Sequence, residues 1–162
     1  MNISRILRPR PLIAAAAFVA LVIGAQQITG MGQGAQADSL TQVGTAGPYI
    51  AQPSAAELQE APVLLVDIRT PAEWAETGVL PNARLITFDS PAQFLRDLEP
   101  HLQPGQPVAL ICRTGNRTSR AARMIAPALD VPVVDIAGGM FRLIGEGYRP
   151  ERATAAQGCT IC

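Results

Sequence analysis

Short apolar runs alternate with helix-like stretches over most of this chain, and this alternation constrains the fold more than any other feature. The pattern predicts five strands: Tyr49 to Ala51, Val63 to Asp67, Arg84 to Phe88, Val108 to Cys112 and Val133 to Ile136. Strands that alternate with helices usually pair in parallel and are covered on both sides. We therefore predict a three-layer α/β domain with a central parallel five-stranded sheet and helices on both faces.

Helix starts between these runs carry recognisable capping residues. Ser54 with Glu57 three positions later forms a capping box, while Pro71 follows Thr70 and Pro91 follows Ser90. A hydroxyl before the first turn and a proline inside it both favour helix initiation. A further helix is predicted from Asn116 to Ala126, where Pro127 ends or kinks it.

The N-terminus has the three-part plan of an export signal. A basic start through Arg10 precedes an apolar stretch from Leu12 to Ala25, and small residues lead to Ala-Gln-Ala at 35–37. We expect an exported, periplasmic protein; the alternatives are cleavage after Ala25 or an uncleaved segment that tethers the chain to a membrane. The predicted organisation is an export signal or anchor with linker at 1–37, a flexible linker at 38–48, a folded domain at 49–150 and a flexible tail at 151–162.

Charge argues against one class of partner. From Asp38 onward the chain has 10 arginines against 13 acidic residues, a net charge of about −3, and it contains no lysine. Proteins that bind nucleic acids usually present an excess of positive charge. We therefore expect no nucleic-acid partner.

A single cysteine stands where the fourth apolar run enters a polar loop with two arginines. This loop, called the cysteine loop below, reads Cys112-Arg113-Thr114-Gly115-Asn116-Arg117-Thr118. Positive side chains and a helix N-terminus favour the thiolate, which is the reactive form of cysteine. The loop amides are expected to converge on the sulfur. The pattern predicts an activated thiol.

A second polar pair, Asp67 and Arg69, follows the second predicted strand. In parallel sheets the reactive groups lie beyond the carboxyl ends of the strands, so this pair and Cys112 could share one crevice. Asp67 could take part in the chemistry directly, or it could be a helix N-terminal or loop-fixing carboxylate, and we favour the second role.

Three segments, taken in order, resemble the rhodanese family of sulfurtransferases, specifically its single-domain members. They are residues 65–74, Leu-Val-Asp-Ile-Arg-Thr-Pro-Ala-Glu-Trp; the cysteine loop; and residues 135–140, Asp-Ile-Ala-Gly-Gly-Met. One departure is Gly78-Val79-Leu80-Pro81, where the family often has a histidine after the glycine.

The resemblance implies a rhodanese-like fold and a persulfide mechanism. Cys112 would take the outer sulfur of thiosulfate or a related donor and pass it to cyanide, a small thiol or a thiol-carrying protein. The remaining loop residues would bind the anionic donor and the persulfide, and Asp67 and Arg69 would support the loop. Neither a cofactor nor a metal is implied.

Two other functions stay open at this stage. The fold could serve as a non-catalytic sulfur-carrier or binding module, since many domains keep a shape without its chemistry. Cysteine phosphatases and arsenate reductases resemble rhodaneses in fold but place five residues between cysteine and arginine, whereas four separate Cys112 from Arg117. We expect negligible phosphatase activity.

The remaining cysteines, Cys159 and Cys162, form a CxxC pair at the C-terminus. Three cysteines in an exported chain usually mean one disulfide and one free thiol. The pair could be a terminal disulfide, a redox pair that accepts sulfur from Cys112, or a metal-handling tail, and the disulfide is favoured. A single CxxC is weak support for zinc, which needs four ligands.

Overall fold

A central parallel sheet organises the computed structural model, which describes residues 47–162. The predicted export signal and almost all of the linker lie outside the described residues. The strands are β1 (Tyr49–Ala51), β2 (Leu64–Asp67), β3 (Arg84–Leu85), β4 (Val108–Ile111) and β5 (Val133–Ile136). Their order is β1-β5-β4-β2-β3 and every pairing is parallel, so the predicted sheet is confirmed.

The third strand is shorter than predicted. Regular pairing stops at Leu85, although the amides of Ile86 and Phe88 still reach the carbonyls of Asp67 and Ile68 at 3.2 and 3.3 Å. The chain therefore continues to follow β2, but with longer hydrogen bonds than a regular ladder has.

Five α-helices cover the sheet within the described residues: α1 (Ala55–Glu60), α2 (Pro71–Thr77), α3 (Pro91–Leu98), α4 (Asn116–Ile125) and α5 (Gly139–Gly145). Ser54 and Thr70 close complete capping boxes, and the Ser90 hydroxyl caps α3. The predicted helix starts are thereby confirmed. Among these helices, none is long and apolar enough to cross a membrane.

The sheet separates two apolar clusters because successive strand residues point to opposite faces. Leu58, Trp74 and Leu143 join Ile111 on the face covered by α1, α2 and α5. The other face carries Cys112 and is covered by α3 and α4. This arrangement makes the domain three-layered, and it places Cys112 on the α3 and α4 side.

The C-terminal segment differs from the flexible tail expected at 151–162. Val79 and Glu151 exchange two backbone hydrogen bonds of 2.8 and 2.9 Å, and Ala153 and Cys159 are buried. The Gln157 amide also donates to the Leu80 carbonyl at 3.0 Å. Small apolar side chains therefore hold the segment against the core, a contact that no periodic sequence pattern announced. Cys159 and Cys162 form the favoured disulfide.

Candidate active site

Cys112 lies where β4 ends and the cysteine loop begins. Gly115 adopts a left-handed conformation (φ +92°) and caps α4, and its amide donates to the Cys112 sulfur at 3.2 Å. The N-terminus of α4, the positive end of the helix dipole, thus follows directly after the sulfur site. Cys112 is only 1 % exposed, so its sulfur sits below the surface of the loop.

Thr118 forms the inner wall of the site. Its hydroxyl is buried, lies 2.8 Å from the Gly115 carbonyl oxygen and 3.7 Å from the Cys112 sulfur. The hydroxyl is thus within reach of both a loop carbonyl and the sulfur.

Asp135 approaches the same hydroxyl from β5. One carboxylate oxygen lies 2.5 Å from the Thr118 oxygen, and the residue is 4 % exposed. Burial raises the pKa of Asp135, against the opposing effects of the Thr118 hydroxyl and the Arg123 charge. Asp135 was not predicted as a site residue. The available signal was a charged residue in an otherwise apolar strand, Val133–Ile136.

The N-terminus of α5 anchors the loop from behind. The amides of Met140 and Phe141 donate to the carbonyls of Cys112 and Arg113, each at 2.8 Å. Gly139 has a positive φ of +56°, and a side chain there would collide with the Cys112 carbonyl. The glycine is needed for this close approach, which fixes the loop backbone relative to β5.

Glu73 on α2 holds Arg117 of the loop in a bidentate ion pair. The two guanidinium nitrogens lie 2.9 and 3.1 Å from the two carboxylate oxygens. Burial alone would raise the pKa of Glu73, but hydrogen bonds from Arg117 and from the Thr70 amide and hydroxyl lower it to about 2. The same pairing raises the pKa of Arg117. Glu73 was part of the quoted motif but was not predicted as a site residue.

The remaining predicted loop residues, Arg113, Thr114 and Asn116, lie exposed on the rim. Asn116 and Arg117 also line a groove of about 550 Å³ that continues to Arg120 and Met124 on α4. Within residues 47–162, neither Arg113 nor Arg120 forms an ion pair. The rim of the cysteine loop, with Arg113 and Arg117, is called the entrance below, and the adjoining groove carries Arg120 and also Asp89.

Asp67 and Arg69 form a buried ion pair at the end of β2. Two nitrogens of Arg69 contact the Asp67 carboxylate at 2.7 to 2.9 Å, and both side chains are at most 1 % exposed. Arg69 also donates to the Thr77 hydroxyl at 2.6 Å and to the Gly78 carbonyl at 2.7 Å. The pair therefore closes the corner between β2 and α2, as the favoured interpretation expected.

The structure does not bring the CxxC pair to Cys112. Cys159 belongs to the apolar cluster on the α1, α2 and α5 face, whereas Cys112 belongs to the cluster on the opposite face. The sheet stands between the two thiol positions, so direct transfer of sulfur from Cys112 to the pair is not supported. No cluster of three or more potential metal ligands occurs in the described part of the chain.

Two solved protein structures are similar to this chain. A rhodanese-related protein from Thermoplasma volcanium is 29 % identical with a TM-score of 0.45, and the match covers 60 % of this chain and 93 % of the other. A rhodanese-like domain protein from Staphylococcus aureus is 24 % identical with a TM-score of 0.47, and the match covers 65 % and 98 % of the two chains.

Sequence comparison adds a relative and a family. The protein Adenylyltransferase and sulfurtransferase UBA4 of Kluyveromyces lactis is 34 % identical over an alignment of 92 residues that covers 52 % of this chain. The match spans only 20 % of the length of that relative. The family model named Rhodanese-like domain matches residues 51–145, a range that holds both the cysteine loop and its anchor on α5. The chain therefore belongs to the rhodanese-like family of sulfur-transfer proteins.

Proposed function

We propose that this protein is a sulfurtransferase that carries sulfane sulfur as a persulfide on Cys112. The observation that carries the proposal is the arrangement around the sulfur, where the Gly115 amide and the Thr118 hydroxyl face one atom beside the start of α4. Such an arrangement stabilises negative charge on sulfur.

The reaction consists of two displacements at sulfur. The Cys112 thiolate attacks the outer sulfur of thiosulfate, a new sulfur–sulfur bond forms, and sulfite leaves with the electron pair of the broken bond. A thiolate or cyanide then attacks the outer sulfur of the persulfide and releases the Cys112 thiolate. Both steps transfer one sulfur atom without a net change in redox state.

The charges at the entrance favour an anionic donor. Arg113 and Arg120 present guanidinium groups without an ion-pair partner among the described residues, and Arg117 is oriented by Glu73. Guanidinium groups bind oxyanions through charge-assisted hydrogen bonds. Thiosulfate and related sulfonate-bearing donors have the required charge, while the acceptor is a small thiol, cyanide or a thiol-carrying protein.

Mass spectrometry tests the proposal directly. The reduced protein is treated with thiosulfate, desalted, and measured as intact protein and as peptides, with the double variant Cys159→Ser, Cys162→Ser as a matched control. One added sulfur on the Cys112 peptide, retained in the double variant and lost in Cys112→Ser, is the expected result. An unmodified Cys112 peptide under conditions where the thiol is reduced would contradict the proposal.

A measurement of how fast the persulfide is discharged distinguishes an enzyme from a carrier module. The loaded protein is mixed with cyanide or a thiol, and the released thiocyanate or acceptor persulfide is followed over time. Repeated turnover supports catalysis. A persulfide that forms and is never discharged would assign the protein to the carrier class, and aryl phosphate hydrolysis lost in Cys112→Ser would assign it to the phosphatases.

Export to the periplasm is proposed from the N-terminal pattern alone. Cell fractionation of the full chain, combined with the N-terminal sequence of the isolated protein, tests it. A processed protein in the periplasmic fraction is expected, and an unprocessed protein in the membrane fraction would favour the tether instead.

A further inference from the structure

The Thr118 hydroxyl has one proton, and besides the Cys112 sulfur it faces two oxygen acceptors. Its oxygen lies within hydrogen-bonding distance of the Gly115 carbonyl and of the Asp135 carboxylate. If the carboxylate is ionised, only one of these contacts can be a hydrogen bond, because a hydroxyl donates once. A proton on Asp135 satisfies both contacts: Asp135 then donates to Thr118, and Thr118 donates to Gly115.

The surroundings of Asp135 favour the neutral carboxyl. Its neighbours across the sheet are Ile50 on β1 and Leu110 on β4, both apolar. From α4, Arg123 supplies the charge that opposes protonation. Burial outweighs this charge and raises the pKa of Asp135. On the sulfur side of the hydroxyl, Arg117 is the charged group whose field reaches Cys112.

Cys112 has little access to water that could take its proton. The residue is 1 % exposed, and the side-chain oxygen beside its sulfur is that of Thr118, at 3.7 Å. Either of these two atoms can donate to the other. The short path from the thiol into the protein therefore leads through Thr118 to Asp135.

We propose that Cys112 and Asp135 share one proton through the Thr118 hydroxyl. With the shared proton on sulfur, Asp135 is ionised and Thr118 donates to it; the S–H bond then breaks and its proton moves to the Thr118 oxygen, while the proton already on Thr118 moves to Asp135. The electron pair stays on sulfur, and the step leaves a thiolate and the neutral carboxyl. The charge of the three groups together does not change. Asp135 is thus a positioning residue that acts through Thr118. The inference rests on the proposed function only in taking Cys112 as the reacting group.

A shared proton has a measurable signature. When two ionisable groups are coupled, their protons leave in two steps that belong to the pair. The thiolate fraction therefore rises with pH to a plateau, where one proton is shared, and rises again when that proton is lost. For an uncoupled thiol, the thiolate fraction rises with pH in a single step.

The rate of Cys112 alkylation by iodoacetamide, measured against pH, detects this signature. The experiment uses the full chain with the Cys159–Cys162 disulfide intact. We expect two steps separated by more than about one pH unit in the wild type and one step in Asp135→Asn, whose amide cannot take up the proton. A single step in the wild type, or two steps in Asp135→Asn, would overturn the proposal.

A second pair of variants keeps the test decisive if Asp135→Asn does not fold. Thr118→Ser retains the hydroxyl and is expected to keep both steps, whereas Thr118→Val removes it and is expected to show one. Two steps in Thr118→Val would contradict the relay. If the protein accepts sulfur from thiosulfate but Cys112 ionises in one step, only the shared proton is contradicted. If Cys112 ionises in two steps but the protein accepts no sulfur, only the proposed function is contradicted.

Discussion

Two arginine–carboxylate pairs begin in the same short segment of the chain but lie in different environments. Asp67 and Arg69 are two positions apart, and both are buried. Glu73 and Arg117 are 44 positions apart, and their side chains are 19 % and 39 % exposed. The buried pair closes a corner between β2 and α2. The Glu73–Arg117 pair is partly exposed, is called the exposed pair below, and joins α2 to the cysteine loop.

The difference teaches that similar ion pairs can separate stability from function. A buried pair contributes little net stability, yet loss of one partner leaves an uncompensated charge in the core. A partly exposed pair contributes less to stability because solvent screens it. Its geometric effect remains, since it fixes where the guanidinium points. We therefore expect stability to depend more on the first pair and sulfur transfer more on the second.

Replacement of one buried partner should have the largest effect. Asp67→Asn leaves the Arg69 charge buried without a counter-charge, and we expect a loss of about 3–5 kcal/mol in the free energy of unfolding. Urea unfolding followed by circular dichroism measures it. The double variant Asp67→Leu, Arg69→Met should regain most of the loss; a decrease below about 1 kcal/mol in the single variant would contradict the assigned role.

Replacement of the half-buried carboxylate should cost less stability than the loss of Asp67 and should slow sulfur transfer. Glu73→Gln keeps an acceptor for the α2 cap but breaks the bidentate contact with Arg117, so the loss of stability should be about 1–3 kcal/mol. Persulfide formation should slow about tenfold, equivalent to about 1.4 kcal/mol in the barrier. The rate of persulfide formation is measured by quenching the reaction with thiosulfate at several times and analysing the protein by mass spectrometry.

Glu57→Gln is the matched control for this variant. Glu57 occupies the same capping position on α1 and has no arginine partner in the described structure. We expect an unchanged rate of persulfide formation. Equal slowing in both variants would assign the effect to the cap and not to Arg117.

Acid should weaken the exposed pair in a defined range of pH. The pKa of Glu73 falls from 4.5 to about 2 on folding, so its contribution to stability is complete above pH of about 4.5 and is lost as pH falls towards 2. The stability difference between wild type and Glu73→Gln should therefore shrink in this range. Unfolding curves at several acid pH values test it, and a constant difference would contradict the pKa assignment.

The smallest effect on stability is expected at an arginine with no carboxylate partner. Arg120→Ala should change the free energy of unfolding by less than about 0.5 kcal/mol but raise the KM for thiosulfate several-fold, because the groove loses a cation. Arg152→Ala removes the same charge from an exposed position of the C-terminal segment and should leave the KM unchanged. Equal effects of both variants would point to net charge instead of the groove.

Local patterns were sufficient to predict the sheet, the helix starts and the cysteine loop. Capping residues act on adjacent amides, so Thr70 and Ser90 lie where the sequence placed them. The apolar runs set the strands, and β4 ends at Ile111, one residue before its predicted end at Cys112. The same holds for the role of Asp67, whose partner is two positions away.

Contacts between distant positions could not be predicted in this way. The partner of Arg117 is 44 residues away, and Asp135 meets Thr118 only because β5 lies beside β4 and under α4. The burial of Cys159 likewise depends on a surface formed by β3 and α2. Each depends on packing of the assembled domain and not on local propensity.

The cysteine loop lies between the N-termini of two helices, α4 beside the sulfur and α5 behind the loop carbonyls. These groups are backbone dipoles, so they carry no net charge that counterions could neutralise, whereas the arginines at the entrance do. Added salt screens exposed charges over a Debye length of about 10 Å at 0.1 M and affects buried groups much less. Higher ionic strength should therefore slow the binding of an anionic donor but leave the stability of the bound persulfide unchanged. A salt series would then separate the rate of donor binding from the lifetime of the persulfide.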